Sequence, residues 1–467
     1  MRSTRGAGGE RRCAGWAVCL GLVALVFAVA GCRRESPNVI LVSVDTLRAD
    51  ALGTYGGPIA TPTFDRLAHE GVVFEHTYAP TSATAPSHAT LFTGQEPQRH
   101  GVLRTGEALA KDAQPLAALF HAHGYATAGF VSSFVLDPRF GWNAGFDHYD
   151  AEIPEAGATM GKQKPYPGAF WGAERFGGFD RRATSTTDAV VRWLATAPEP
   201  YFLFVHFFDP HGPYVPPTAF AERTAQMPVS LDGRELPSVP PAKLEQLIRR
   251  YQGEVLYVDD ALAAVAEAAT HKSKRPTVIA VTGDHGEGLG QHRWLEHAVS
   301  LYDEQVHVPL LLYAPGRLPG GRRVATPVAL ADVAPTLLDL AGLPAPTAPI
   351  DGRSLAAAAR GGAEPDARPI FGVRRLVSEE AGWGHGVQLS VRNGRWKYIW
   401  ASDAPHELYD LDADPGERSN VLDAHADVAA ELRGLLERHV AALPKPREAA
   451  PLSEETRKAL QALGYAE

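Results

Sequence analysis

Asn38-Val39-Ile40-Leu41-Val42-Ser43-Val44, followed at once by Asp45, is the stretch on which the fold turns. A continuous aliphatic, β-branched run reads as a strand covered on both faces, because a strand with one wet face alternates polar and apolar residues. The same texture recurs at 277–282 (TVIAVT), which runs into Gly283-Asp284-His285-Gly286, and at 201–207 (YFLFVHF), which runs into Asp209-Pro210-His211. Shorter runs at 126–131 and 309–313 add two more strands, and helical periodicity is read at 110–123, 185–195, 244–269 and 328–341. Strands alternating with helices predict an α/β fold whose large, mostly parallel central sheet is sandwiched by helices. Ligands of such sheets sit beyond the carboxyl ends of the strands, where Asp45, His211, Asp284 and His285 would meet.

Composition agrees with a large folded body. The chain has 467 residues, 45% hydrophobic and 21% charged, with 45 Gly and 37 Pro; this excludes coiled coil, collagen and disorder. A formal charge of -9 leaves no basic footprint for nucleic acid. At the N-terminus, Arg2, Arg5, Arg11 and Arg12 precede an apolar run over 14–31 that closes on Val29-Ala30-Gly31-Cys32. Basic region, short apolar core and small residues in that order predict an export signal over 1–31. Its end resembles a bacterial lipobox, so Cys32 is expected to be lipidated and to tie an exported chain to a bacterial membrane. Removing 1–31 takes away four Arg and one Glu, leaving 41 basic and 53 acidic side chains, net -12. The only other cysteines are Cys13 and Cys19, so the mature body has no cysteine nucleophile, zinc-thiolate site or iron–sulfur cluster.

Two stretches, 151–180 and 212–243, are rich in Gly, Pro and aromatics and are expected to be long loops over the site edge. After Gly342-Leu343-Pro344 the texture changes, and Leu389-Ser390-Val391-Arg392 with Trp396-Lys397-Tyr398-Ile399 predicts a hairpin around Asn393-Gly394. The expected organisation is therefore a signal over 1–31, a catalytic domain over 32–345, and a small C-terminal α+β subdomain over 346–467 with an antiparallel hairpin and terminal helices.

Asp45, Asp284 and His285 are oxygen and imidazole donors suited to one divalent cation such as Zn, Mn, Mg or Ca. A fourth piece is 84–94, Thr-Ala-Pro-Ser-His-Ala-Thr-Leu-Phe-Thr-Gly, where Thr84 stands before an apolar helical start that faces an anion with its amino end.

With these pieces in place, the chain resembles the sulfatase family of the alkaline phosphatase superfamily. The matching segments run in order through nearly the whole mature sequence: PNVILVSVDTLRADALGTYG, TAPSHATLFTGQEPQRHGV, FVHFFDPHGPY, YVDDAL, VTGDHGEGLGQHRWLEHAVSLYDEQVHVPLLLYAPG, APTLLDLAGLP, DGRSL and ELYDLDADPGERSNV. The resemblance implies a central sheet between helices with a small C-terminal antiparallel sheet. It also exposes departures. Where the family carries a cysteine or serine converted to formylglycine in C-x-P-S-R, this chain has Thr84; His88 replaces the arginine, and Thr46 replaces the second acidic residue after the first strand. The T-x-P-S-H form is similar to phosphodiesterases and phosphotransferases of the superfamily, in which a metal-bound Thr attacks phosphorus.

What the resemblance implies for the site is that Asp45, Thr84, Asp284 and His285 hold one cation and that Thr84 is the covalent nucleophile. His211 aligns with the family's PH element and His297 with its Lys or His position, both touching substrate oxygens or protonating the leaving group. His88, Asp209 and His292 are weaker candidates, and a second ion on Asp209, His211 and His297 is conceivable. His206 reads as a core residue, His100 as structural, and Tyr302-Asp303-Glu304 as a brace for the neighbouring loop. A threonine ester must be cleaved at its substituted centre, whereas a formylglycine hydrate expels sulfate on its own; this favours phosphomonoesters, phosphodiesters or phosphonates. The expected substrate is a small-molecule or a glycan- or lipid-linked anionic ester. Sulfate-ester hydrolysis without formylglycine and a non-catalytic binding lipoprotein are the alternatives.

Overall fold

A computed structural model describes residues 35–153, 180–237, 239–271, 273–376, 386–445 and 453–462. The export signal, Cys32 and nearly all of the expected loop over 151–180 lie outside the described residues.

The strands, in chain order, are β1 (Asn38–Val44), β2 (Val72–Tyr78), β3 (Ala126–Phe130), β4 (His148–Asp150), β5 (Tyr201–Phe207), β6 (Thr277–Gly283), β7 (Gly288–Leu289), β8 (Leu295–Glu296), β9 (His307–Tyr313), β10 (Arg322–Val324), β11 (Val328–Ala329), β12 (Ile370–Leu376), β13 (Gly386–Asn393), β14 (Trp396–Ala401) and β15 (Glu407–Asp410). The central sheet has the order β10-β2-β9-β6-β1-β5-β3-β4, with β11 also pairing with β2. It is mostly parallel, as its texture predicts, and β9 alone runs against both neighbours. In β1 every residue is buried, and successive side chains feed opposite cores: Val39 and Leu41 one, Ile40, Val42 and Val44 the other. Helices Thr84–Thr93 and Val333–Ala341 contribute to the first core; Pro62–His69, Ala183–Leu194 and the long Pro241–His271 helix contribute to the second. Both faces are thus covered, which is why the strand runs need no alternation.

Some boundaries differ from the sequence reading. The helix expected over 110–123 is Leu116–Ala122, because Pro115 disfavours helical geometry in the residue before it. The pattern over 328–341 divides into β11, a 3-10 turn Leu330–Asp332 and helix Val333–Ala341, with Asp332 accepting hydrogen bonds from the backbone N–H groups of Ala329 (2.9 Å) and Arg353 (2.7 Å). The stretch 212–243 is not all loop. It holds helix Thr218–Thr224 and the start of Pro241–His271, each with a proline at its amino end.

The hairpin forms where predicted: Asn393 pairs with Trp396 around Gly394, whose φ of +60° suits glycine. β12 to β15 form an antiparallel sheet, and helix Ala426–Ala442 covers it with Ala429, Leu432 and Leu436 against Val391, Tyr398 and Leu408. This layer belongs to the compact unit Pro37–Glu467. Tyr302-Asp303-Glu304 braces it as well as the preceding loop. The Tyr302 hydroxyl donates to Glu407 (3.0 Å), Lys397 pairs with Asp303 (2.6 Å), and Glu304 pairs with His292 (2.8 Å). Among the described residues no helix is long and apolar enough to cross a membrane.

One core contact bears on the site. Phe204 of β5 is fully buried edge-on to Phe92 (ring centroids 4.8 Å) and to His88 (5.9 Å), both in helix Thr84–Thr93. Phe204→Ala is expected to cost about 3–5 kcal/mol, the range for a buried aromatic deletion. A urea midpoint unchanged from the wild type would show that this packing contributes nothing.

Candidate active site

β1 runs into Asp45, β6 into Asp284 and His285, and β5 toward Asp209 and His211, so neighbouring strands of one sheet deliver the polar residues to one edge. Helix Thr84–Thr93 brings Thr84 to the same place at its first position, with its positive dipole end toward the cluster. Gly286 is required by space rather than by φ. A Cβ there would lie 2.1 Å from the Glu304 carbonyl oxygen.

Among the described residues, Asp45, Asp284 and His285 form the group able to converge on one ion, each offering an atom within 4.8 Å of the others. His285 Nε2 lies 3.5 Å from Asp284 Oδ2, 3.7 Å from Asp45 Oδ1 and 3.2 Å from Thr84 Oγ1. Its Nδ1 faces the Gly286 carbonyl at 2.9 Å and so carries the proton, which leaves the Nε2 lone pair directed into the cluster. Asp284 is oriented through its other oxygen, which accepts from the backbone N–H of His285 (2.8 Å) and of Thr46 (3.2 Å). Thr46 thus serves through its backbone, held at a φ of +56° that a β-branched residue rarely adopts.

The electrostatics are those of an anion-rich pocket. Both Asp45 oxygens and Asp284 Oδ2 are buried without a hydrogen-bond donor. Burial, then the Glu287 carboxylate, pushes the Asp45 carboxyl well above its usual range; burial, then Asp45, does the same to Asp284. Burial also pushes His285, His88 and His211 down. Acceptors that are buried and unpaired while a neutral imidazole points between them are the donor set a divalent cation requires, so these residues fit one.

The remaining candidates fall in different places. His211 and His297 stand together beside the cluster, their rings 4.7 Å apart and His297 4.6 Å from His285. His88 lies behind it: Nδ1 donates to the Thr84 carbonyl (2.8 Å) and sits 3.5 Å from Asp284 Oδ2. His206 is fully buried, as a core residue should be, and its Nε2 lies 3.5 Å from Asp45 Oδ2. His100 is structural, bonded to Thr90 (3.0 Å) and to the Val102 N–H (3.1 Å).

Asp209 does not join His211 and His297 around a second ion. It accepts from the Ala183 N–H (2.8 Å) and pairs with Arg182 (2.9 Å), anchoring the loop that carries His211. His292 stacks on Tyr302 at 3.6 Å and bonds Glu304, away from Thr84. It lines a cavity of about 950 Å³ with Arg48, Arg234, Glu304, Arg392 and Arg418, and Thr84, His211, His285 and His297 do not line that cavity. Sequence reasoning missed Glu287, whose Oε1 is 3.1 Å from His297 Nδ1. Its signal was its place two residues after His285, on the same turn.

The comparisons accord with this geometry. The family model described as Sulfatase matches residues 37–343, and that described as N-sulphoglucosamine sulphohydrolase, C-terminal, matches 290–442. The chain is similar to the uncharacterized sulfatase YidJ of Escherichia coli (strain K12), 26% identical over 439 residues and 86% of each chain. It is also similar to the Delta 4,5-hexuronate-2-O-sulfatase of Bacteroides thetaiotaomicron, 25% identical over 457 residues, 87% of this chain and 89% of the relative. Among solved structures, the phosphonate monoester hydrolase of Agrobacterium radiobacter superposes with a TM-score of 0.73 at 25% identity, covering 90% of this chain and 98% of that one. A family match over most of the chain, relatives named sulfatases that align over most of their length and a shared fold lead to one conclusion: the chain belongs to the sulfatase family of the alkaline phosphatase superfamily and is a sulfatase-like ester hydrolase.

Proposed function

We propose that the protein is a metal-dependent hydrolase of phosphonate monoesters or phosphodiesters in which Thr84 is the covalent nucleophile, acting at a bacterial membrane to which Cys32 anchors it. The observation that carries this reading is the position of the Thr84 hydroxyl, 3.2 Å from His285 Nε2 and beside two buried carboxylates with unpaired oxygens. Asp45, Asp284 and His285 would hold the ion, with Thr84 Oγ1 completing the set. When bound, a divalent cation supplies positive charge that neutralises the substrate and lowers the hydroxyl pKa.

The chain's own residues account for the rest. As the Thr84 Oγ–phosphorus bond forms, the hydroxyl proton passes to solvent, the bond to the leaving oxygen breaks, and that oxygen takes a proton from the imidazolium form of His211 or His297. Water then attacks phosphorus and breaks the bond to Oγ, one of its protons restoring Thr84 and the other the histidine, and the product leaves as the dianion. The amino end of helix Thr84–Thr93 favours the negative charge gathered at phosphorus. The phosphonate monoester hydrolase of Agrobacterium radiobacter supports the phosphorus chemistry by analogy of fold. A second reading is favoured by the sulfatase names of the sequence relatives, including one named for a hexuronate: sulfate-ester hydrolysis, on a glycan, by the same threonine.

The test is to purify residues 33–467, strip metals, and restore Zn, Mn, Mg or Ca singly while assaying p-nitrophenyl sulfate, phosphate, phosphodiester and phosphonate. Metal-restored cleavage of the phosphodiester or phosphonate is expected. Preference for the sulfate would establish the second reading, and full activity in chelator would remove the metal from either.

A further inference from the structure

The proposal rests on the hydrolase reading above and concerns a residue that reading does not use. Glu287 and His297 are both buried, at 0% and 4% exposure, and their side chains meet at 3.1 Å between Oε1 and Nδ1. The carboxylate is not free to wander. Its backbone N–H donates to the Glu304 carbonyl (2.9 Å), its own carbonyl accepts from Arg48 (2.7 Å), and the Tyr214 hydroxyl, three residues beyond His211, faces the carboxylate.

His297 is presented by an unusual piece of backbone. Glu296 and Ala298, on either side of it, adopt φ of +68° and +64°, left-handed values that non-glycine residues hold only when the surroundings impose them. The Ala298 N–H is tied to the Ser82 carbonyl (2.8 Å), two residues before Thr84, so the turn that aims His297 is fastened to the segment that carries the nucleophile. With Nδ1 donated to Glu287, the opposite edge of the ring lies among the rings of His211 and His285.

We infer that Glu287 is a positioning residue for the reaction: it accepts the Nδ1–H of His297 and fixes the ring so that Nε2, which carries the transferred proton in the imidazolium form, faces the leaving group, acting only through that imidazole. A carboxylate behind an imidazole plays this part wherever one ring nitrogen must be held so that the other meets the substrate.

The experiment uses residues 33–467 loaded with the activating ion, and compares p-nitrophenyl and phenyl esters of phenylphosphonate, or of sulfate if that is the class hydrolysed. For Glu287→Ala, kcat on the phenyl ester should fall about 100-fold and on the p-nitrophenyl ester about 10-fold or less, with KM within about 3-fold, because the poorer leaving group depends more on a well-placed proton. Glu287→Gln keeps an acceptor for Nδ1 and should recover at least about 5-fold of the phenyl-ester loss, and Glu287→Ala should cost nothing further when added to His297→Ala.

Equal losses on both esters, a glutamine variant as poor as alanine, or an added loss in the double variant would each assign Glu287 a merely structural role. Should Glu287→Ala fail to fold, the glutamine variant and its combination with His297→Ala carry the same comparison. A wild type that cleaves neither ester class overturns the hydrolase reading and this assignment with it; an active wild type matched by Glu287→Ala overturns the assignment alone.

Discussion

Thr84→Ala is expected to abolish turnover while the protein folds normally and still binds its ion, more weakly, through Asp45, Asp284 and His285. The fall should reach about 10⁴-fold or more, since a covalent route has no substitute for its nucleophile and catalytic groups that act as a unit fail together. Stability should change by no more than about 1 kcal/mol, because the hydroxyl makes one modest contact, to His285, and alanine is at least as good a helix residue. Thr84→Ser should retain part of the activity, as it keeps an oxygen at the same place. Steady-state rates beside a thermal melt check both halves, and mass spectrometry of acid-quenched wild type should find the transferred group on the peptide containing Thr84. Undiminished activity in Thr84→Ala would sink the nucleophile assignment.

The second large effect is a separation of stability from function at Asp284. Asp284→Asn should abolish ion binding and turnover, yet in chelator at neutral pH it should be more stable than the wild type by about 1–3 kcal/mol, the scale of relieving a buried, unpaired acceptor. The variant keeps an oxygen to accept from the N–H groups of Thr46 and His285, and places a donor where the unpaired oxygen lay 3.5 Å from the His285 Nε2 lone pair. The pH dependence follows from the direction of the shift. The folded-state pKa of the Asp284 carboxyl lies above its unfolded value because of burial and the Asp45 charge, so its protonated form favours folding.

That contribution is complete below an unfolded carboxyl value of about 3.9 and is lost as pH rises toward the folded value, so the advantage of Asp284→Asn should widen from about pH 4 upward. A divalent ion should reverse the order by stabilising only the wild type. Denaturant unfolding across that range, with chelator and with ion, reads all three results. An asparagine variant less stable than the wild type in chelator would mean that the carboxylates are not in conflict.

How much of this was legible differs from residue to residue. β1, β5 and β6 are plain in the sequence because burial on both faces leaves an uninterrupted aliphatic run, and their last residues point at once to Asp45, His211, Asp284 and His285. β2, next to the edge strand β10, was not found. Its run Val72–Tyr78 contains Glu75 and His76, and its pairing with β9 shifts register between Phe74 and Thr77, so the pattern breaks where the strand does. β9 was found, but a doubly buried run reads the same in either direction, and its antiparallel course came only from the assembled sheet.

By itself the sequence determined the fold class, the four residues Asp45, Thr84, Asp284 and His285 as candidates, and the exclusion of cysteine chemistry from residues 33–467, because each depends on local runs, on residue type at a strand end, or on composition. Only the tertiary structure decided which nearby polar groups face the cluster. Asp209 and His211 are two residues apart, yet one is spent on Arg182 and the Ala183 N–H while the other stands beside His297. His88 and His206 stand behind the carboxylates of the cluster, and Glu287 reaches His297 across ten positions of chain. A buried polar side chain must find a partner, and which one lies within about 3 Å is set by how the elements pack, which residue type and spacing do not encode.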